Sequence, residues 1–253
     1  MGGPHAYREH RPPPAWRHAV VCCWELRVGT SGAQRVLPDG CADLLIVDGG
    51  PLSVVGTADA VDLPVLERGA LVRGIRLRPE IVGVLLGENA ARLRNTTVQL
   101  DDVFGARRAR DMRRPEALDR WLTEARPDER VARALRCLDS TDLETTARTI
   151  HVSPRQIRRL LLQHTGLSPK AFQRVRRLQR FVALLEGGLP LARIAPAAGY
   201  ADQPHLSREV RALTGLSPRA LAAERCARST EGSPASGRPA PAMGVVSSRP
   251  PGS

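Results

Sequence analysis

Three arginines, Arg155, Arg158 and Arg159, stand in the stretch SPRQIRRLLLQHTG (153–166) at a spacing that suits one face of a helix. Residues i, i+3 and i+4 are neighbours on a helix surface, so these three side chains share a face while Ile157 and Leu161 turn the other way. Residues 154–165 contain no acid. A solvated face usually interleaves acids with bases. Guanidinium and amide groups near the first turns of a helix can pair bidentately with guanine or adenine edges in a major groove. The chemistry on offer is recognition of a polyanion, and the plain alternative is a solvated basic face. Ser153 is placed to cap the helix, Pro154 to open it, and Gln156 to complete a capping box. Thr165-Gly166 would end it, and Ser168-Pro169 would start the next.

The same plan recurs. HTGLSPKAF (164–172) is matched by LTGLSPRAL (213–221) at an offset of 49 residues, and at that offset Ile157 meets Leu206 and Leu161 meets Val210. Upstream, TTARTIHVS (145–153) is similar to RIAPAAGYA (193–201). A duplicated helix–turn–helix unit accounts for this. The first has a helix over 143–150 and a turn at His151-Val152; the second has Asp202 as cap, Leu206 and Val210 inward, and Gln203, His205, Ser207 and Arg208 outward or flanking. Pro196 falls inside the first helix of the second unit, where it removes a backbone hydrogen bond and is expected to loosen that unit. Between the units, residues 168–186 predict a rod about 28 Å long. That length approaches the roughly 34 Å repeat of the major groove along one face of DNA. Arg180, on the rod, would be a phosphate contact if it reaches DNA.

Charge follows the repeat. The 253-residue chain has a formal net charge of +12; residues 106–228 hold 25 basic and 13 acidic side chains, against 11 and 12 in residues 1–105. A basic half beside a neutral half suggests a polyanion-binding module joined to something else. An apolar content of 42% supports a real core. The N-terminus has no apolar signal segment, and no apolar run reaches the ~20 residues of a membrane span, so a cytoplasmic protein without a membrane partner is expected. The cysteines at 22, 23, 41, 137 and 226 form no C-x-x-C pair and read as reduced packing residues. No metal or cofactor is expected.

Before the repeat, residues 1–18 read as a flexible lead-in and residues 19–105 as a β-rich (α+β) domain. AVVCCWELRV, CADLLIVDGG, LSVVGTAD and LVRGIRLR are its short strands, in a small antiparallel sheet or barrel, and Pro79 opens a helix over PEIVGVLLG. Residues 106–127 read as a helical connector, 128–226 as an all-α domain, and 227–253, rich in Ser, Pro, Gly and Ala, as a disordered tail. Asp39, Asp43, Arg76 and Arg78 are candidate pocket residues. The plainer reading makes Pro38-Asp39-Gly40 a turn and Arg76-Leu77-Arg78 a strand with one wet face.

Residues 128–226 resemble the DNA-binding domain of the AraC/XylS-type regulators through ARTIHVSPRQIRRLLLQHTGLSPKAF, RRLQRFVALLEGG and IAPAAGYADQPHLSREVRALTGLSPRAL. The resemblance implies a multidomain transcription regulator in which two helix-turn-helix units, joined by a long helix, enter successive major grooves of double-stranded DNA. It carries Arg155, Arg158 and Arg159 over as DNA-binding residues in the first unit, and Gln203, Pro204, His205, Ser207 and Arg208 in the second. Where Leu161 and Val210 stand, the family commonly has Phe. Trp24, LPDGCADLLI, VVGTA, GIRLRPEIVGVLLG and VQLDDVFG resemble the N-terminal domain of a subgroup of that family. Such a domain senses a small-molecule effector or mediates homodimerisation; no particular ligand follows, and RNA polymerase is the expected protein partner. Two alternatives stand beside this one. The first is an architectural protein that binds DNA without sequence preference. The second is thiol or metal chemistry in the N-terminal half, from His18, Cys22, Cys23 or Asp101-Asp102, for which no catalytic fingerprint is present.

Overall fold

The computed structural model describes residues 5–87 and 90–230, with side chains up to 226. Its first half is built on an antiparallel sheet of six strands among the described residues. These are β1 (Ala6–His10), β2 (Val20–Arg27), β4 (Ala42–Val47), β5 (Ser53–Val55), β7 (Leu71–Leu77) and β8 (Thr97–Gln99), in the order β1-β2-β7-β4-β5-β8. Two further short strands, β3 (Gly32–Ala33) and β6 (Val65–Leu66), pair with each other. The sheet is open, with β1 and β8 at its edges.

Alternation decides its faces. Ala42 and Leu44 of β4 and Leu77 of β7 point into one apolar core, which α1 (Pro79–Leu86) covers with Ile81, Val82, Leu85 and Leu86. Pro79 opens α1 as expected, its missing N–H costing nothing there. After α2 (Leu100–Phe104), the connector segment forms α3 (Ala106–Met112) and α4 (Pro115–Glu124), whose Ala109, Met112 and Leu122 belong to the same core. The connector therefore packs on the sheet's own core.

Two expectations need correction. Residues 6–10, in the supposed flexible lead-in, form edge strand β1, paired antiparallel with β2. Only Tyr7 of its side chains is buried, against Trp24 with ring centroids 6.0 Å apart, so the segment carries no apolar run to betray it. Residues 1–4 of that lead-in lie outside the described residues. Second, Arg76 is not on a wet face. Its side chain is 13% exposed and lies 3.3 Å from Asp39 and 3.5 Å from Asp43, which accepts from Trp24 Nε1 at 2.6 Å. Burial pushes the Asp43 carboxyl up against the pull of Arg76. Pro38-Asp39-Gly40 is a turn as expected, with Gly40 at φ +82° and Asp39 accepting from the Cys41 amide at 2.8 Å.

The second half is helical: α5 (Glu129–Leu138), α6 (Leu143–Thr149), α7 (Pro154–Thr165), α8 (Pro169–Glu186), α9 (Leu191–Ala197), α10 (Gln203–Thr214) and α11 (Pro218–Thr230). The expected disordered tail begins inside α11; residues 231–253 lie outside the described residues. One apolar cluster joins α5, α6, α7 and the start of α8 through Leu135, Leu138, Ile157, Leu161 and Phe172. Another joins the end of α8 to α9, α10 and α11 through Phe181, Ile194, Leu206, Val210 and Leu221.

Adjacent leucines test this partition. Leu161 is fully buried and Leu162 is 42% exposed. Leu161→Ala is expected to cost about 2–5 kcal/mol, and Leu162→Ala no more than about 0.5 kcal/mol. Denaturant unfolding of the two variants measures this, and equal losses would contradict the assigned faces.

Candidate nucleic-acid interface

The first unit turns at His151, which takes φ +57°, and restarts at Ser153. Ser153 Oγ accepts from the Gln156 amide at 3.2 Å, and Gln156 Oε1 accepts from the Ser153 amide at 2.7 Å. This reciprocal box satisfies two amides that the first turn of α7 would otherwise leave open. With Ile157 and Leu161 buried, Arg155, Arg158 and Arg159 are all exposed on the opposite side, beside Leu162.

In the second unit Asp202 Oδ1 accepts from the His205 amide at 2.6 Å and so caps α10. Leu206 and Val210 are buried, while Gln203, Pro204 and Arg208 are exposed. His205 and Ser207 are half-buried. The His205 ring meets Tyr200 edge-on at 5.5 Å, and its Nδ1 accepts from the Ala201 amide at 3.3 Å, so the ring braces the turn before the helix. Arg211 is exposed one turn beyond Ser207 and Arg208. The sequence pattern does not single it out, because the offset of 49 places it opposite Leu162 and not opposite an arginine of the first unit.

Pro196 lies within α9 with its ring exposed. The helix continues past it, burying Ile194 and Ala195 before it and Ala198 after it, and the Pro196 carbonyl accepts from the Gly199 amide at 3.0 Å. Its missing donor is confined to one bond.

Helices α7 and α10 end alike. Gly166 and Gly215 take φ +74° and +75°, a left-handed backbone that only glycine adopts without strain. Between them α8, 18 residues and about 27 Å long, is tied to each unit by ions. Arg176 Nε donates to Asp139 Oδ1 at 2.7 Å and Arg180 Nη2 reaches the same oxygen at 3.3 Å. Arg174 and Arg177 donate to the two oxygens of Glu209 on α10 at 2.9 and 3.2 Å. Arg180 is thus engaged with Asp139 of the first unit. The linker's arginine charge is largely matched inside the protein, whereas Arg155, Arg158 and Arg159 of α7 and Arg208 and Arg211 of α10 are exposed.

The ion pairs set a pH dependence. Partial burial pushes the Asp139 carboxyl up, but the hydrogen bond and charge of Arg176, and then Arg180, hold it below its usual range. A carboxylate lowered by folding contributes stability above its unfolded pKa of about 4, lost as pH falls through the lower folded value. Asp139→Asn is therefore expected to flatten the loss of thermal stability between about pH 4 and pH 2. Melting curves of both proteins across that range read it directly, and parallel losses would mean that Asp139 is not held by the arginines.

A sequence profile described as a helix-turn-helix domain matches residues 146–224, and one described as a domain of unknown function (DUF6597) matches residues 8–99. No curated protein matches the chain. Among solved structures, the C-terminal domain of AraT, a response regulator from Geobacillus stearothermophilus, is 27% identical, covering 39% of this chain and 87% of that one with a TM-score of 0.35. ToxT from Vibrio cholerae is 9% identical, covering 86% of this chain and 98% of that one with a TM-score of 0.43. ToxT bound to an unsaturated fatty acid is 10% identical, covering 88% and 96% with a TM-score of 0.43.

Proposed function

We propose that the chain is an AraC-type helix-turn-helix protein with a β-rich N-terminal half, a DNA-binding transcription regulator, and that it reads specific DNA with two heads, α7 and α10, in successive major grooves. One observation carries the reading: two capped helices, repeated at an offset of 49 residues, each turn a face bearing exposed arginine to solvent while a single helix of about 27 Å holds them together. Arg155, Arg158 and Arg159 would contact the first block, with the arginine forks favouring guanine. Gln203, Pro204 and Arg208 would contact the second, with Ser207 at the edge of that face and His205 bracing it. Nonspecific phosphate binding does not require two capped, groove-sized helices.

The assignment of residues 19–105 to effector sensing or dimerisation, of 128–226 to DNA binding, and of RNA polymerase as protein partner belongs to the same proposal. So does a cytoplasmic location, which five thiols without a disulfide among them suit.

Hydroxyl-radical footprinting of the full chain on a selected site tests the two-headed reading. Two protected blocks of different sequence are expected on one DNA face, with centres about 10–10.5 base pairs apart. A single block bound by one chain would refute it. Arg158→Ala should cost about 1–3 kcal/mol on the best site and relax preference at one base pair. If that variant loses affinity equally on selected and random DNA, Arg158 grips phosphate and does not read a base.

A further inference from the structure

The two threonine–glycine turns leave the same atom without a partner in the helix they end. Thr165 Oγ1 donates to the Leu161 carbonyl and Thr214 Oγ1 to the Val210 carbonyl, each at 2.8 Å. The same hydroxyls accept from the amides of Leu167 and Leu216, each at 3.1 Å. With both side chains committed, the carbonyls of Thr165 and Thr214 lie in the last turns of α7 and α10, where no intrahelical donor exists.

The N-terminal half supplies a donor to each. Thr57 Oγ1 donates to the Thr165 carbonyl at 2.6 Å, in a fully buried contact. Arg35 Nη1 donates to the Thr214 carbonyl at 2.6 Å, and its Nε donates to Glu224 of α11 at 3.0 Å. A cation at a helix C-terminus is favoured by the helix dipole as well as by the hydrogen bond. Between these points the Pro38 carbonyl accepts from Gln179 Nε2 of α8 at 2.6 Å, and Gly40 lies against Phe172 and Val175. A fourth contact braces the first head: Gly83 of α1 lies so close to α7 that a Cβ there would come within 2.5 Å of the His164 Cα. The exposed arginines of α7 and α10 remain exposed with all these contacts in place.

We propose that the N-terminal half is a splint across the two reading heads, and that Thr57 and Arg35 are its positioning residues. They fix the separation and orientation of α7 and α10, so that the full chain selects DNA sites by the spacing of their two blocks. The inference rests on the two-headed reading above. Its physical basis is preorganisation: when one head has bound, the second is already aimed at the next groove, and the cost of ordering it is not met at binding. Without the splint, the orientation of each head rests on its packing and ion pairs with α8 alone, and a wider range of spacings is accepted.

The test measures Kd of the full chain for a selected two-block site, for the same site with one or two base pairs inserted between blocks, and for DNA with the first block alone. The wild type is expected to discriminate against the inserted sites. Arg35→Ala and Thr57→Val should each lower that discrimination about tenfold, the worth of one charged or buried hydrogen bond. Affinity for the single block should be unchanged, and Thr57→Ser should restore the wild-type ratio. An unchanged ratio in both variants overturns the proposal, as does an equal loss on single-block and two-block DNA. Amide exchange without DNA separates the splint from the two-headed reading. Arg35→Ala should accelerate exchange in residues 203–217 and Thr57→Val in 154–167. If the wild type binds no two-block site, the two-headed reading fails, and unaltered exchange in both variants would sink the splint as well.

Discussion

Burial of α8 is the constraint on which the rest of the structure depends. Phe172 and Ala171 at its start complete the core of the first helix-turn-helix unit; Leu178, Phe181 and Val182 further along complete the core of the second. Neither unit encloses its own apolar surface without that helix. Val175, between the two stretches, and Gln179, within the second, face the Pro38–Gly40 turn of the N-terminal half. One helix therefore serves three partners, and a helix buried on several sides needs its charged residues matched. Asp139 and Glu209 do this for four arginines that would otherwise be partly desolvated without a counter-charge.

That matching changes the meaning of the net charge. A formal +12 suggests a diffuse polyanion-binding surface, yet much of the positive charge on α8 is consumed in holding the units together. The exposed guanidinium groups include those of Arg155, Arg158 and Arg159, which project from the capped start of α7, and of Arg208 and Arg211 on α10.

The N-terminal half packs behind these faces and not over them. Its sheet has two differently used sides: one carries the apolar core under α1, and the other carries Trp24, Asp43 and Arg76. Through Asp39, that second side holds the turn that meets α8. The buried ion group on the sheet and the linker helix are thus two or three residues apart in contact, although they belong to different halves of the chain.

Local chemistry was legible in the sequence because it acts over a few residues. The Ser153–Gln156 box, the Asp202 cap, the Pro79 and Pro154 helix starts and the glycines after Thr165 and Thr214 each follow from hydrogen bonds within one turn of chain. So does the division of α7 into an apolar face and an arginine face. Edge strand β1 was not legible, because one buried tyrosine among polar neighbours gives no alternation to read. Nor was the fate of Arg76, Arg174, Arg176, Arg177 and Arg180, since an arginine looks the same in sequence whether it faces water, DNA or a carboxylate. The sequence by itself determined the duplicated unit, its caps and its polar faces, because periodicity encodes them. Only the tertiary structure decided which arginines are spent inside the protein and how Thr57 and Arg35 reach the two repeated carbonyls. Those pairings join residues 32 to 179 positions apart, and no local pattern constrains a contact at that separation.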